Sequence, residues 1–371
     1  AGAPPVYNIE NHRLIDQPEH RASIRQEYKM KPNNITRAII DATVDRSLRE
    51  IDEDPNRSIR KLTDMGRHFA TGRFLDQIYD MLQDLLRNDD SPYYTAIRNL
   101  LRNTSRANIK EFGINVGYNS LTFGGKVIRS LDGKKPFNIP WCIVIHTNPS
   151  EPASIDAADV GHIVSQGNEL GIYTYLIRCG GRIQAADHLF ETFAAHPESA
   201  FICLLPEGTL SQEQLELIRK CRNTLFMFQA GKESSAGDIG KMKQQKSLFG
   251  LYDSYGDSTI SRWTDENRAE EFLPYRGSFV IVVPDENCSK ETSDRMSRFV
   301  KNLRTEPKYP FIIFEQRSDL MQIGRIITDS TNEIYLELLD DGSILTKDDT
   351  LIECRHTFSL EQILSVALPK E

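Results

Sequence analysis

The residue types best suited to chemistry in this chain stand singly, each just past a short apolar run. His146, Glu207 and Glu315 are an imidazole and two carboxylates, a donor set able to bind a divalent ion with open positions. Arg178 and Arg182 flank Gly180-Gly181, and two guanidiniums beside a turn suit an anion such as a carboxylate or phosphate. Gln229 and Lys232, Asp285 and Glu286, and Arg317 add polar groups at the ends of further apolar runs. These residues share no motif spacing. Neither G-x-S-x-G nor H-E-x-x-H occurs, and Gly180-Gly181 lacks the spacing of a phosphate cradle. The plain reading of that dipeptide is a strand-to-helix turn needing positive φ, and of the scattered charges, solvated strand ends pairing with one another.

Six cysteines, Cys142, Cys179, Cys203, Cys221, Cys288 and Cys354, occur singly with no C-x-x-C spacing, so no local metal-ligand signature exists. Cys142, Cys179 and Cys203 lie in or beside apolar runs, where a thiol behaves as a small buried hydrophobe. Acidic residues outnumber basic ones 53 to 45, and a net charge of -8 repels polyanions. The arginines at Arg37, Arg46, Arg49, Arg57, Arg60 and Arg67 are interleaved with acids, as on solvated helix faces, so nucleic acid is not the expected partner. No apolar run reaches the roughly 20 residues of a membrane span, and the first residues lack a basic-then-apolar leader pattern. A soluble, cytoplasmic protein is expected.

The elements that must position these groups fall into two kinds. Residues 1–34 lack sustained periodicity and read as a tail. From residue 35 to 136 apolar residues recur at helical spacing, with Ser91-Pro92 opening one helix and Ser105 capping a short one that ends near Gly113. After Pro140 short apolar runs alternate with amphipathic helices: Trp141 to His146, Ile172 to Ile177, Ala200 to Leu205, Thr224 to Gln229, Ser278 to Val283 and Phe311 to Phe314. Alternation predicts a parallel sheet, either doubly wound and open or a partial barrel, over residues 137–318. Ala230 to Leu273 is polar and is expected to hold a broken helix and a loop. Residues 319–371 read as a C-terminal segment with a hairpin turning at Asp340-Asp341-Gly342 and a last helix from Ser359.

Several strings in this order resemble the radical SAM superfamily, particularly members with a C-terminal auxiliary-cluster segment. Pro140-Trp141 leads into the first strand, and Leu204-Leu205-Pro206-Glu207-Gly208-Thr209-Leu210 is similar to the family's Thr-Asn-Gly-Thr-Leu turn. The loop after the first strand, which in that family carries three cysteines, is here Thr147 to Ser154 and has none. Gly180-Gly181-Arg182 resembles the Gly-Gly-Glu that holds the amino group of S-adenosylmethionine, with Arg for the acid. Arg325 and Lys347 stand at the positions resembling the auxiliary-cluster cysteines.

The resemblance implies an α/β fold, a partial (β/α)6 TIM-like barrel preceded by helices, with ligands at the C-terminal ends of the strands. It also implies loss of the iron–sulfur cluster, since cluster iron is held chiefly by thiolates. Such a chain is a pseudoenzyme binding a peptide, a small ligand or a partner protein at His146, Arg178, Gly180, Gly181, Arg182, Glu207, Gln229, Glu315 and Arg317, with no cofactor expected and S-adenosylmethionine disfavoured. The alternative is a cluster-independent enzyme at the same mouth.

Overall fold

A computed structural model describes residues 34–50, 55–69, 80, 83–285, 288–305, 308–328, 334–346, 351–352 and 359–370. The helical region comprises α1 (Asn34–Glu50), α2 (Pro55–Phe69), α3 (Pro92–Asn103), α4 (Arg106–Ile114) and α5 (Gly125–Asp132). Ser91 accepts from the Tyr93 N–H with proline at the first turn, and Ser105 accepts from Asn108 N–H, so both expected caps form. The helix opened by Ser105 does not stop at Gly113. A π-helical stretch, Asn115–Gly124, joins α4 to α5. It buries Asn115 and Asn119, whose amides donate to the carbonyls of Pro197, Glu198 and Ser199 ahead of the third strand. Those bonds tie the helical region to the sheet and explain why the rod continues past the glycine.

Strands and helices then alternate: β1 (Cys142–Thr147), α6 (Ala157–Glu169), β2 (Thr174–Cys179), α7 (Asp187–Ala195), β3 (Ala200–Leu204), α8 (Gln212–Lys220), β4 (Thr224–Gln229), α9 (Glu233–Gln245), β5 (Phe249–Tyr255), α10 (Ile260–Thr264), β6 (Phe279–Pro284), α11 (Lys290–Thr305), β7 (Ile312–Glu315) and α12 (Gln316–Thr328). The chain ends in β8 (Leu336–Leu338), β9 (Ile344–Thr346), β10 (Leu351–Ile352) and α13 (Leu360–Ala367). Strands buried on one face by the flanking helices and on the other by the barrel interior give the near-continuous apolar runs read above. The described strands form one sheet, in the order β10-β9-β8-β1-β2-β3-β4-β5-β6-β7.

The sheet departs from a six-unit barrel in two places. Phe249–Tyr255 is a strand, paired in parallel with β4 and β6, where a loop was expected, so β1 to β7 are seven parallel strands. Its polarity misled because Asp253 is neutralised by Arg268, which donates at 2.8 Å from a later turn. Leu336–Leu338 pairs in parallel with β1 as well as antiparallel with β9. The expected C-terminal hairpin therefore forms, but as an extension of the barrel sheet. Among the described residues eight parallel strands stand in barrel order and open between β7 and β8, an α/β partial barrel whose free edge carries the hairpin. Side chains cross the opening: Gln316 Nε2 donates to the Tyr335 hydroxyl at 2.9 Å, and Trp141 Nε1 donates to the Leu320 carbonyl at 2.8 Å.

Candidate functional site

Strand register decides which side chains face the barrel interior, because register partners in a parallel sheet share a face. His146 on β1 is level with Arg178 on β2, and Glu337 on β8 is level with Val144, two residues before His146. The three therefore converge. His146 Nε2 and Glu337 Oε1 are 2.5 Å apart, Arg178 Nη1 lies 3.6 Å from the same oxygen, and the Tyr335 hydroxyl donates to Glu337 Oε2 at 2.7 Å. Burial alone would push the Glu337 carboxyl up, but the hydrogen bond from His146 and the charge of Arg178 overcome it and hold the group at about 2. Burial and the neighbouring Glu337 raise the Tyr335 hydroxyl well above its ordinary value. Arg178 also reaches across the barrel to the Pro284 carbonyl at 3.4 Å.

Beside this cluster lies a cavity of about 690 Å³ at the C-terminal ends of β4, β5 and β6. Arg178, Gln229, Tyr252, Ser254, Asp285 and Cys288 line it, among others. Tyr252 is fixed by donating to the Leu205 carbonyl at 2.7 Å. Burial, with the nearby carboxylates of Asp257 and Asp285, pushes the Cys288 thiol up to about 11, so it is a poor nucleophile at neutral pH. Asp257 is held below its ordinary value by hydrogen bonds from Thr292 and Ser289 at the start of α11.

The candidate residues separate into three groups. Arg178 and Gln229 line the cavity, and His146 stands beside it with Glu337. Arg317 lies behind that cluster, its guanidinium 5.6 Å from the centre of the Tyr335 ring. Glu207 and Glu315 lie elsewhere. Glu207 is exposed and pairs with Lys232 at 2.9 Å. Glu315 is level with Val282 and so faces the helix layer; it accepts from the Tyr255 hydroxyl and the Ser318 N–H, each at 2.7 Å, and caps α12. Burial raises its carboxyl above the ordinary value. The imagined His146, Glu207 and Glu315 metal set is therefore not assembled, and among the described residues no group of three or more His, Cys, Asp or Glu is placed to hold a metal ion.

The turn at Gly180 and Gly181 has its own structural cause. Gly181 adopts φ +70°, and a Cβ there would strike Asn148 Oδ1 and Ser150 Oγ of the loop after β1. That loop occupies the space above the turn, and Ser150 Oγ accepts from the Arg182 N–H at 2.9 Å. Arg182 itself is exposed and does not line the cavity that Arg178 lines. None of the described cysteines lies in the loop after β1: Cys142, Cys179, Cys203 and Cys221 are buried in or beside the strands and helices, burial raises all four thiols, and Cys288 lines the cavity. Arg325 lies on α12, and Lys347 lies outside the described residues.

Tyr252, Ser254, Tyr335 and Glu337 escaped the sequence reading. The first two sit on the strand read as a loop, Glu337 sits in a short strand read only as a hairpin arm, and Tyr335 immediately precedes that strand. The legible signal was Tyr335-x-Glu337, two polar residues on one face of an otherwise apolar run.

No family model matches this chain, and no curated protein matches it. Solved structures similar to it include Streptococcus suis SuiB bound to S-adenosylmethionine, at TM-score 0.46 and 11% identity over 64% of this chain and 66% of SuiB. SuiB bound to the precursor peptide SuiA gives 0.45 and 10% over 64% and 67%. A 3-dehydroquinate dehydratase from Geobacillus kaustophilus gives 0.30 and 14% over 47% and 72%. The match spans just under two thirds of the SuiB chain bound to S-adenosylmethionine. These are distant likenesses of architecture.

Proposed function

We propose that this chain is a radical-SAM-like binding protein without an iron–sulfur cluster, taking a small polar ligand or a peptide segment into the cavity at the mouth of its partial barrel. The observation that carries this reading is the division of labour among the polar groups. His146, Glu337 and Tyr335 satisfy one another, with Arg178 alongside. On the cavity wall, the side chains of Gln229, Ser254 and Asp285 make no hydrogen bond among the described residues, which leaves them for a ligand. Such a wall recognises polar atoms without supplying a low-pKa nucleophile. A cavity of about 690 Å³ has the size of ordinary small-molecule sites. S-adenosylmethionine is disfavoured, because Arg182 replaces an acid and Asn148 and Ser150 fill the space above Gly181.

One observation favours a second reading. The His146 side chain keeps 19% exposure while a buried carboxylate orients its ring, the arrangement of a general base in a cluster-independent enzyme. Thermal-shift titration of the intact chain with S-adenosylmethionine, free amino acids and short peptides separates the two. The binding reading requires stabilisation by an amino acid or peptide that is lost in Arg178→Gln, with the ligand recovered unchanged. Turnover that falls in His146→Gln would establish the enzyme reading instead.

A further inference from the structure

The face opposite the mouth, at the N-terminal ends of β6 and β7, carries a second cavity of about 440 Å³ between α3 and the turn entering β6. Arg98 and Arg102, one helical turn apart on α3, and Arg276 place three guanidiniums on its wall. Phe272, Leu273 and Phe311 supply apolar lining, and no lining residue is acidic. Leu273 is 38% exposed, one of few large apolar side chains so open to solvent in the described residues. This concentration runs against the net charge of -8 of the whole chain. Arg98 bonds only neutral oxygens, those of Asn56 and Thr95, at 3.3 and 3.0 Å. Neither Arg102 nor Arg276 has a carboxylate partner among the described residues.

The groove is also fixed in shape. Ser278 Oγ donates to the Ala96 carbonyl at 2.7 Å and Asn103 Nδ2 to the Arg276 carbonyl at 3.3 Å, which ties α3 to the turn. Arg276 holds a left-handed backbone, φ 51°, a strained conformation for a non-glycine residue, and its side chain lines the groove. The nearby Lys243 ammonium is held below its ordinary value, by burial first and by Arg276 second.

We infer that this groove docks an acidic peptide segment bearing one apolar side chain, its carboxylates meeting Arg98, Arg102 and Arg276 and its apolar group covering Leu273. Guanidiniums without a carboxylate partner among the described residues, set around an apolar floor, match alternating acid and apolar residues, whereas the acidic remainder of the surface opposes a long polyanion. The groove does not depend on the reading of the mouth.

Fluorescence anisotropy on the intact chain tests it with two labelled peptides of equal length, one of glutamates around a central leucine and one with glutamine for every glutamate. The acidic peptide should bind, with affinity lowered about tenfold or more in Arg98→Glu/Arg102→Glu and by added salt. Serine in place of the leucine should weaken it several-fold, and Arg178→Gln should leave it unchanged. All the altered groove residues are exposed, so these variants fold. Equal binding of the two peptides, equal binding by the double variant, or displacement by a DNA oligonucleotide of the same charge as readily as by the acidic peptide would overturn the inference.

Discussion

Replacing Glu337 with glutamine removes the charge on which the interior cluster converges while keeping its shape. The carboxyl falls from an ordinary 4.5 to about 2, a drop worth about 3 kcal/mol at 1.36 kcal/mol per unit. Solvent screening takes little of this, since the side chain is 4% exposed. A depressed folded value means that the unfolded chain binds the extra proton. The contribution is therefore complete above the unfolded value of 4.5 and disappears as the pH falls toward about 2. In Glu337→Gln, His146 and Arg178 lose their anion, and the expected loss at pH 7 is about 3 kcal/mol. Urea unfolding followed by tryptophan fluorescence reads it, because the Trp141 indole adjoins β1 and is anchored to Leu320. The difference between wild type and variant should shrink steadily as the pH is lowered from roughly 5 to 2. A difference constant with pH, or one below about 1 kcal/mol at pH 7, would refute the electrostatic account of the cluster.

Glu315 should behave in the opposite sense. Burial raises its folded value, so its contribution to stability is present below the ordinary glutamate value and is lost as the pH rises through the folded one. Glu315→Gln should then be neutral or stabilising at pH 7 in the same urea assay, its amide oxygen still accepting from Tyr255 or Ser318. Gly250→Ala should cost roughly 2 kcal/mol, since its Cβ would lie 2.6 Å from Met227 Sδ and 2.9 Å from the Phe279 carbonyl. Adding Met227→Ala should restore only the part due to the thioether, because the carbonyl belongs to the adjacent strand.

Six strands were legible because each is an apolar run buried on both sides, and several helix ends because their chemistry is local. Asp156 and Asp159, Ser211 and Gln214, and Ser359 and Gln362 form reciprocal caps, and Gly171 turns the chain at φ +90°. The strand Phe249–Tyr255 was not legible, because its Asp253 looks solvent-seeking until Arg268 is folded against it. Nor was the placement of Leu336–Leu338 beside β1, which depends on contacts about half the chain apart. For the site, residue type at a strand end was readable and facing was not. Phe314 points into the barrel and Glu315, one residue on, into the helix layer, so a single step in register removed an expected ligand from the mouth.

The proposed ligand-binding role requires a barrel that holds no iron–sulfur cluster. Iron and acid-labile sulfide analysis after anaerobic purification and reconstitution tests this, because the Thr147 to Ser154 loop carries no cysteine and no metal-holding group of His, Cys, Asp or Glu forms among the described residues. The expected result is iron far below one atom per chain and no visible charge-transfer absorption. Stoichiometric iron with matching sulfide would contradict it.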